Sequence, residues 1–143
     1  MELIKKTEQE ILVLQEHKID NTNTMIPLLH YPLLENLDMV EHCFSTRLGG
    51  VSSGIYESMN FSFVRGDEPE AVHENYRRLS ATMHTTPDCI VTTDQTHTTN
   101  IRKVGKADCG KGIIYPRDYT DIDGLITDEP GVMLSTFYAD CVP

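Results

Sequence analysis

A histidine and a cysteine in the second half of the sequence are residue types that bind zinc well. His97 lies in the polar run 94–99, which follows an apolar segment. Cys141 lies in the segment 139–143, which follows another apolar segment. Imidazole and thiolate both suit this borderline-soft cation. The two residues are not related by any local sequence spacing. Considered alone, His97 also fits an exposed loop histidine, and Cys141 also fits a buried core cysteine.

Arg47 is the residue type that most readily binds an anion, and it lies beside a glycine-rich loop. Gly49 and Gly50 follow it closely, so a guanidinium and backbone amides are available together. A surface arginine before a hairpin turn fits the same residues equally well. Asn60 begins an apolar segment, where asparagine often only caps a turn.

Signatures of the common enzyme classes do not occur in this sequence. It contains no G-x-S-x-G, P-loop, dinucleotide-binding or H-E-x-x-H motif, and its four cysteines form no C-x-x-C pair. Asp121 and Asp123 fit a solvated turn better than a functional carboxylate pair. The remaining histidines show no convergent partner in the sequence and are assigned no role; they are His17, His30, His42, His73 and His84.

Charge and composition exclude several classes of partner. The chain has 143 residues, 39% of them apolar, and a net charge of −10, which disfavours nucleic acids and anionic membranes. No apolar run reaches the length of a membrane span. The charged start, residues 1–10, lacks the apolar region of a secretory signal, so a cytoplasmic protein is expected.

One helix is predicted directly after Asp67. Asp67 is a suitable N-cap, Glu70 follows three residues later as in a capping box, and Pro69 fits the first turn. Apolar residues then recur at helical spacing, which predicts one buried stripe that ends before Pro87. The residues of this stripe are Val72, Tyr76, Leu79 and Met83.

Short apolar segments separated by turn residues predict strands in the rest of the chain. The predicted strands are 40–46, 59–64, 89–93, 100–104, 112–115, 124–127 and 132–138. One helix among many strands favours an α+β fold, with residues 1–24 as an N-terminal extension. Segment 11–14 fits a strand or a helix, and segment 25–37, broken by two prolines, predicts a loop with a short docking segment.

The last apolar segment, 132–138, resembles a strand that is buried on both faces. Such a strand needs neighbours, and few elements remain in this chain to supply them. Further structure after Pro143 is therefore expected.

Four segments in a fixed order resemble the YfiH family, which is also described as laccase-like multicopper polyphenol oxidases. Each motif is weak alone, but the ordered set covers nearly everything from His42 onward. The segments are 42–52; 58–60 with 66–72 and 74–79; 95–97; and 123–127 with 130–132 and 139–143. The resemblance implies an α+β mixed-sheet sandwich, of which residues 25–143 form the N-terminal part of a single catalytic domain.

The resemblance also implies a metal site, generally zinc, on two histidines and one cysteine. By motif, His97 and Cys141 are two of these ligands and the catalytic residues. The third lies in a His-Ala/Ser-Gly-Trp motif beyond Pro143. We therefore expect this chain alone to be inactive. Copper is less favoured than zinc, because copper sites of the blue type need clustered histidine and cysteine.

The activity implied by the resemblance is on purine nucleosides, with nucleoside and phosphate as the ligands. It comprises phosphorolysis of adenosine, guanosine or methylthioadenosine, and deamination of adenosine. Arg47 with the amides of Gly49 and Gly50 is the candidate phosphate site, and Asn60 is the candidate for hydrogen bonds to ribose or base. Thr98 replaces a usual glycine, which predicts a tighter loop around His97.

Two other readings of the same residues stay open. Cys141 as a nucleophile would indicate a cysteine hydrolase or a peptidoglycan-precursor editing enzyme. Stoichiometric bound metal would argue against that. The second alternative is a non-enzymatic binding module, which a protein without any third metal ligand would favour.

Overall fold

The computed structural model describes residues 12–19 and 22–138. The chain divides into two compact units, Met1–His84 and Thr85–Pro143, and each is described by itself. The helices are α1 (Pro32–Glu35) and α2 (Pro69–Thr82). The strands are β1 (Val13–Lys18), β2 (Met25–His30), β3 (Phe44–Ser45), β4 (Ile90–Thr92), β5 (Ile101–Lys103), β6 (Gly124–Ile126) and β7 (Met133–Ser135). These elements confirm the predicted α+β class. No helix within the described ranges is long and apolar enough to cross a bilayer.

The first unit contains a three-stranded antiparallel sheet with the strand order β1-β2-β3. Segment 11–14, which fitted either a strand or a helix in the sequence, contributes Val13 and Leu14 to strand β1. The prediction of a loop over 25–37 is wrong for β2, which runs through Pro27. The Pro27 carbonyl accepts a bond from Thr46 Oγ1, on the β3 side. The backbone N and O of one residue in an antiparallel strand point to the same neighbouring strand. The position of the missing N–H of Pro27 therefore faces β3, and the hydrogen bonds between β2 and β1 are not interrupted.

The strand predicted over 59–64 is absent from the first unit, and the one predicted over 40–46 is reduced to β3. Asn60 Oδ1 accepts the backbone N–H of Ser62 at 3.1 Å, which closes a local turn. The rings of Phe61 and Phe63 instead pack on Tyr76 of α2, with centroids 4.9 and 5.9 Å from its ring. Two of the apolar residues that favoured a strand thus pack on a helix and are partly buried there, whereas Val64 is exposed.

Helix α2 buries the predicted stripe, but its start differs from the prediction. Val72, Tyr76 and Leu79 are buried, as the helical spacing indicates. The N-cap position is Glu68, no side chain caps the helix, and the predicted capping box does not form. Asp67 lies one residue too early, and its Oδ1 accepts the Glu68 N–H instead. Pro69 at the first turn supplies no amide that would need a cap.

A fully buried asparagine on α2 holds the glycine-rich loop. Asn75 accepts the Val51 N–H at 2.9 Å and donates to Ser52 Oγ at 2.9 Å and to the Asn60 carbonyl at 2.8 Å. It lies on the helix between Val72 and Tyr76, both buried. Hydrogen bonds to helix α2 therefore fix the conformation of loop residues 51–60, in place of hydrogen bonds between strands.

Gly50 allows two backbone segments of this loop to approach closely. A Cβ at this position would lie 1.9 Å from the Ser58 carbonyl oxygen, which no side chain can tolerate. The amides of Ser58 and Met59 both donate to the Arg47 carbonyl at 3.0 Å. The glycine is thus required by contact between the two ends of the loop.

The second unit is built from two parallel strand pairs, β4 with β7 and β5 with β6. Its buried cluster contains Val91, Val104 and Tyr119. Tyr119 also donates its hydroxyl to the Thr92 carbonyl at 2.6 Å. The predictions at 89–93, 100–104, 124–127 and 132–138 each contain one of these strands. All four strands are shorter than predicted.

Two details of the second unit differ from the sequence prediction. Segment 112–115 is not a strand, because the amides of residues 113, 114 and 115 all donate to the Gly110 carbonyl and form a tight turn. Leu134 in β7 is 36% exposed, so this strand is not buried on both faces.

Replacement of Asn75 by alanine is expected to destabilise the first unit. Val51 N–H, Ser52 Oγ and the Asn60 carbonyl would each lose a partner, at a total cost of about 2–4 kcal/mol. Urea unfolding followed by circular dichroism measures this difference. The control is Asn36→Ala, which removes one exposed bond to the Pro32 carbonyl and should change stability by less than about 0.5 kcal/mol. Equal effects of the two substitutions would contradict a supporting role for Asn75.

Candidate functional site

The loop that carries His97 follows β4 and has an unusual backbone. His97 has φ of 65°, in the left-handed region that only a few per cent of residues other than glycine adopt. Its side chain is exposed. Within residues 12–19 and 22–138 its imidazole makes no hydrogen bond, so both ring nitrogens are available to a ligand. The backbone around this residue must be held by other groups.

Asp123 supplies that support from the start of β6. Its two carboxylate oxygens accept the backbone amides of Thr96 and His97 at 3.0 and 2.9 Å, and the Thr98 hydroxyl at 3.0 Å. The Thr96 amide is the main cause of a lowered pKa for Asp123. The carboxylate therefore stays ionised and fixes three successive residues of the loop.

Asp121 holds the same loop from a second point. Its Oδ1 accepts the Thr96 hydroxyl at 3.0 Å, and its carbonyl accepts Asn100 Nδ2 at 2.9 Å. Asp121 and Asp123 were expected to form a solvated turn, and their role in holding the His97 loop was missed. The available signal was the run of hydroxyl residues at 96, 98 and 99, which needs acceptors from elsewhere in the chain.

Gln95 links the His97 loop to the segment that follows β7. Its Nε2 donates to the Phe137 carbonyl at 3.1 Å, and its Oε1 accepts the Phe137 amide at 2.8 Å. Strands β4 and β7 are parallel neighbours, so the chain leaves both at the same edge. Cys141 itself lies outside the described residues.

Arg47 lies in the first unit and is exposed. Its guanidinium donates through Nε and Nη2 to the Glu57 carbonyl. The Gly50 amide, expected to face a ligand, donates to Ser58 Oγ at 3.2 Å. Gly49 has φ of 89°, and a Cβ at this position would lie 3.0 Å from Ile26 Cγ1.

Asn60 belongs to the same loop, and its side chain bonds to residues that follow it in the chain. Its Nδ2 donates to Asp67 Oδ2 at 2.9 Å and to the Ser62 carbonyl at 3.3 Å. The bonds from Ser52 and Asn60 lower the pKa of Asp67. Arg47 and Asn60 thus belong to one loop of the first unit, whereas His97 belongs to the second unit.

The three described cysteines differ in their suitability as metal ligands. Burial raises the pKa of Cys43 to about 11, and it also raises the pKa of Cys109. A hydrogen bond from the Thr85 side chain lowers the pKa of Cys89. No group of three or more His, Cys, Asp or Glu side chains in the described part of the chain is arranged around a metal position. His97 therefore fits a zinc site as a single exposed donor whose co-ligands would come from outside that part.

Comparisons with known proteins agree with the resemblance found in the sequence. The family model described as multi-copper polyphenol oxidoreductase laccase matches residues 41–143. A purine nucleoside phosphorylase of Bacteroides thetaiotaomicron is 37% identical over 81% of this chain and 43% of its own length. The purine nucleoside phosphorylase YlmD of Geobacillus stearothermophilus is 38% identical over 69% of this chain and 36% of its own.

Two solved structures share the fold. YfiH of Bacillus licheniformis has a TM-score of 0.70 and 28% identity, and covers 87% of this chain and 45% of its own. YlmD of Geobacillus stearothermophilus has a TM-score of 0.60 and 38% identity, and covers 68% of this chain and 36% of its own. The chain spans less than half the length of each of these relatives. Sequence, motifs and fold agree, and the chain belongs to the laccase-like multi-copper polyphenol oxidoreductase family that includes YfiH and YlmD.

Proposed function

We propose that this chain is part of a zinc-dependent purine nucleoside enzyme. It would catalyse phosphorolysis of adenosine, guanosine or methylthioadenosine, and deamination of adenosine. The observation that carries the proposal is the 37% identity to the Bacteroides purine nucleoside phosphorylase over 81% of this chain. The matched region contains both loops that hold the candidate residues.

The proposed zinc ligands are His97, Cys141 and a third residue downstream of Pro143. Two observations support the first pair. The parallel neighbours β4 and β7 end at one edge, where the His97 loop and residues 136–138 begin, and Gln95 bonds the main chain of Phe137, four residues before Cys141. Bound zinc supplies a Lewis acid at this edge. The chain's own part is to hold His97 in place through Asp123, with its imidazole exposed.

The proposed phosphate site is Arg47. Its bonds to the Glu57 carbonyl use Nε and Nη2, and the exposed guanidinium keeps Nη1 for an anion. Asn60 is the proposed partner for ribose or base. Because its amide and carbonyl already bond Ser62 and Asp67, it would have to exchange one of those bonds for the substrate.

The proposed activity predicts two sets of products from adenosine. Incubation of the gene product that carries this chain should yield adenine only when phosphate is present, and inosine in its absence. Liquid chromatography separates the two. The Cys141→Ala variant should form neither, while Cys89→Ala, at a cysteine outside the proposed site, should form both. Protein that binds zinc and yields no product would contradict the proposal.

Replacement of Asp123 by asparagine is expected to weaken zinc binding by His97. The Nδ2 group of the asparagine would replace one acceptor oxygen with a donor that faces a backbone N–H. Residues 96–98 would then lose hydrogen bonds that fix their backbone. A loss in zinc affinity of about 10- to 100-fold is expected, measured by competition with a chromophoric chelator. Asp128→Asn is the matched control, because the side chain of Asp128 forms an exposed ion pair with Lys103 in the same unit. Zinc affinities unchanged by Asp123→Asn would remove this positioning role.

Replacement of Arg47 by alanine is expected to raise the KM for phosphate roughly 10- to 100-fold, the range for loss of a charge-assisted bond. The rate of deamination should change far less, since that reaction uses no phosphate. Arg65→Ala removes an exposed arginine of the same unit and is the control. An unchanged KM for phosphate would exclude Arg47 as the anion site.

A further inference from the structure

Two histidines on neighbouring strands of the first unit meet through their side chains, although each has a different cross-strand partner. His17 of β1 and His30 of β2 have their Nε2 atoms 3.0 Å apart, and their rings stack with centroids 5.1 Å apart. His17 is partly buried and His30 is 6% exposed. Two ring nitrogens at this distance share either one proton or one cation, because two N–H groups would repel.

Glu35 of α1 lies beside the other ring nitrogen of His30. Its Oε1 is 3.3 Å from His30 Nδ1 and also accepts Gln15 Nε2 at 2.8 Å. A proton on Nδ1, next to this carboxylate, would leave the Nε2 lone pair for a ligand on the side of His17. A carboxylate behind the far nitrogen is the arrangement that orients metal-binding histidines in proteins.

Besides Glu35, the titratable groups that line the cavity beside the pair are Glu41, His42 and His84.

A cavity of about 270 Å³ adjoins the two nitrogens. His42 also lines it, but its Nε2 accepts the Tyr31 amide at 2.7 Å and is not available as a ligand. The cavity has room for several waters, each of which occupies about 30 Å³ in the liquid. Water can thus complete a coordination shell that two imidazoles begin.

We propose that His17 and His30 bind one Zn²⁺ ion through their Nε2 atoms, at a site separate from His97 and Cys141. Two imidazole nitrogens on a tetrahedral zinc lie about 3.3 Å apart, given Zn–N bonds of about 2.0–2.1 Å. The observed 3.0 Å needs an opening of only a few tenths of an ångström. With two protein ligands and water, the site is exchangeable, and the bound ion joins β1 to β2. It does not depend on the proposed nucleoside activity.

The test is a Zn²⁺ titration of the chain with His97→Ala and Cys141→Ala, which disables the other proposed site. Competition with a chromophoric chelator should give one equivalent of bound zinc. His17→Gln should lower the affinity at least tenfold, and Glu35→Gln about 10- to 100-fold. His73→Gln, at a histidine that packs on Phe63 away from the pair, should change nothing.

Thermal unfolding separates loss of the site from loss of the fold. Zn²⁺ should raise the melting temperature of the parent chain, and His17→Gln should abolish that rise while it unfolds cooperatively without metal. If His17→Gln fails to fold, the same measurement is made on Glu35→Gln. The Glu35 side chain is more than one-third exposed, so its replacement should leave the fold intact. Absence of zinc binding, or equal affinity in the parent, Glu35→Gln and His73→Gln proteins, would show that the pair is only a hydrogen bond.

Discussion

The position of His97 depends on the carboxylate of Asp123. A left-handed backbone at a residue with a side chain costs roughly 1–2 kcal/mol, and this loop has little apolar contact to offset that cost. Three donors from consecutive residues converge on one ionised carboxylate. Charge-assisted bonds are about twice as strong as neutral ones, so they offset the strain where packing does not. The backbone of the histidine is thereby held by polar bonds to the residue that precedes β6.

The parallel pairing of β4 with β7 determines which segments lie next to the supported His97 loop. Because the two strands run in the same direction, the loop with His97 and the segment before Cys141 begin at one edge. Gln95 joins the two segments through both of its side-chain polar groups. Two segments distant in sequence are thus bonded to each other at one edge of this sheet, and no local spacing in the sequence marks that proximity.

Sequence reasoning succeeded where one element carries its own periodicity. The stripe of α2 predicted its buried face, because helical spacing is a property of the segment alone. It failed at 59–64 and 112–115, where apolar residues pack on a helix or close a turn. Composition does not reveal which partner buries such residues. The roles of Asn75 and Asp123 were also missed, since their bonds join residues 15–27 positions apart. The predicted roles of Arg47, Asn60 and Cys141 stay predictions.

Three histidines of this chain show that the partner of one ring nitrogen decides the use of the other. His42 accepts a backbone amide and is committed to structure. His30 has the Glu35 carboxylate 3.3 Å from Nδ1 and His17 Nε2 3.0 Å from its own Nε2. The ring of His97 has no hydrogen bond among the described residues, although its backbone is tightly held. No hydrogen bond from this part of the chain therefore fixes the orientation of the His97 ring. The proposed zinc site on His30 has a carboxylate beside one ligand, whereas the proposed site on His97 would depend on its proposed co-ligands, Cys141 and a residue downstream of Pro143, for its geometry.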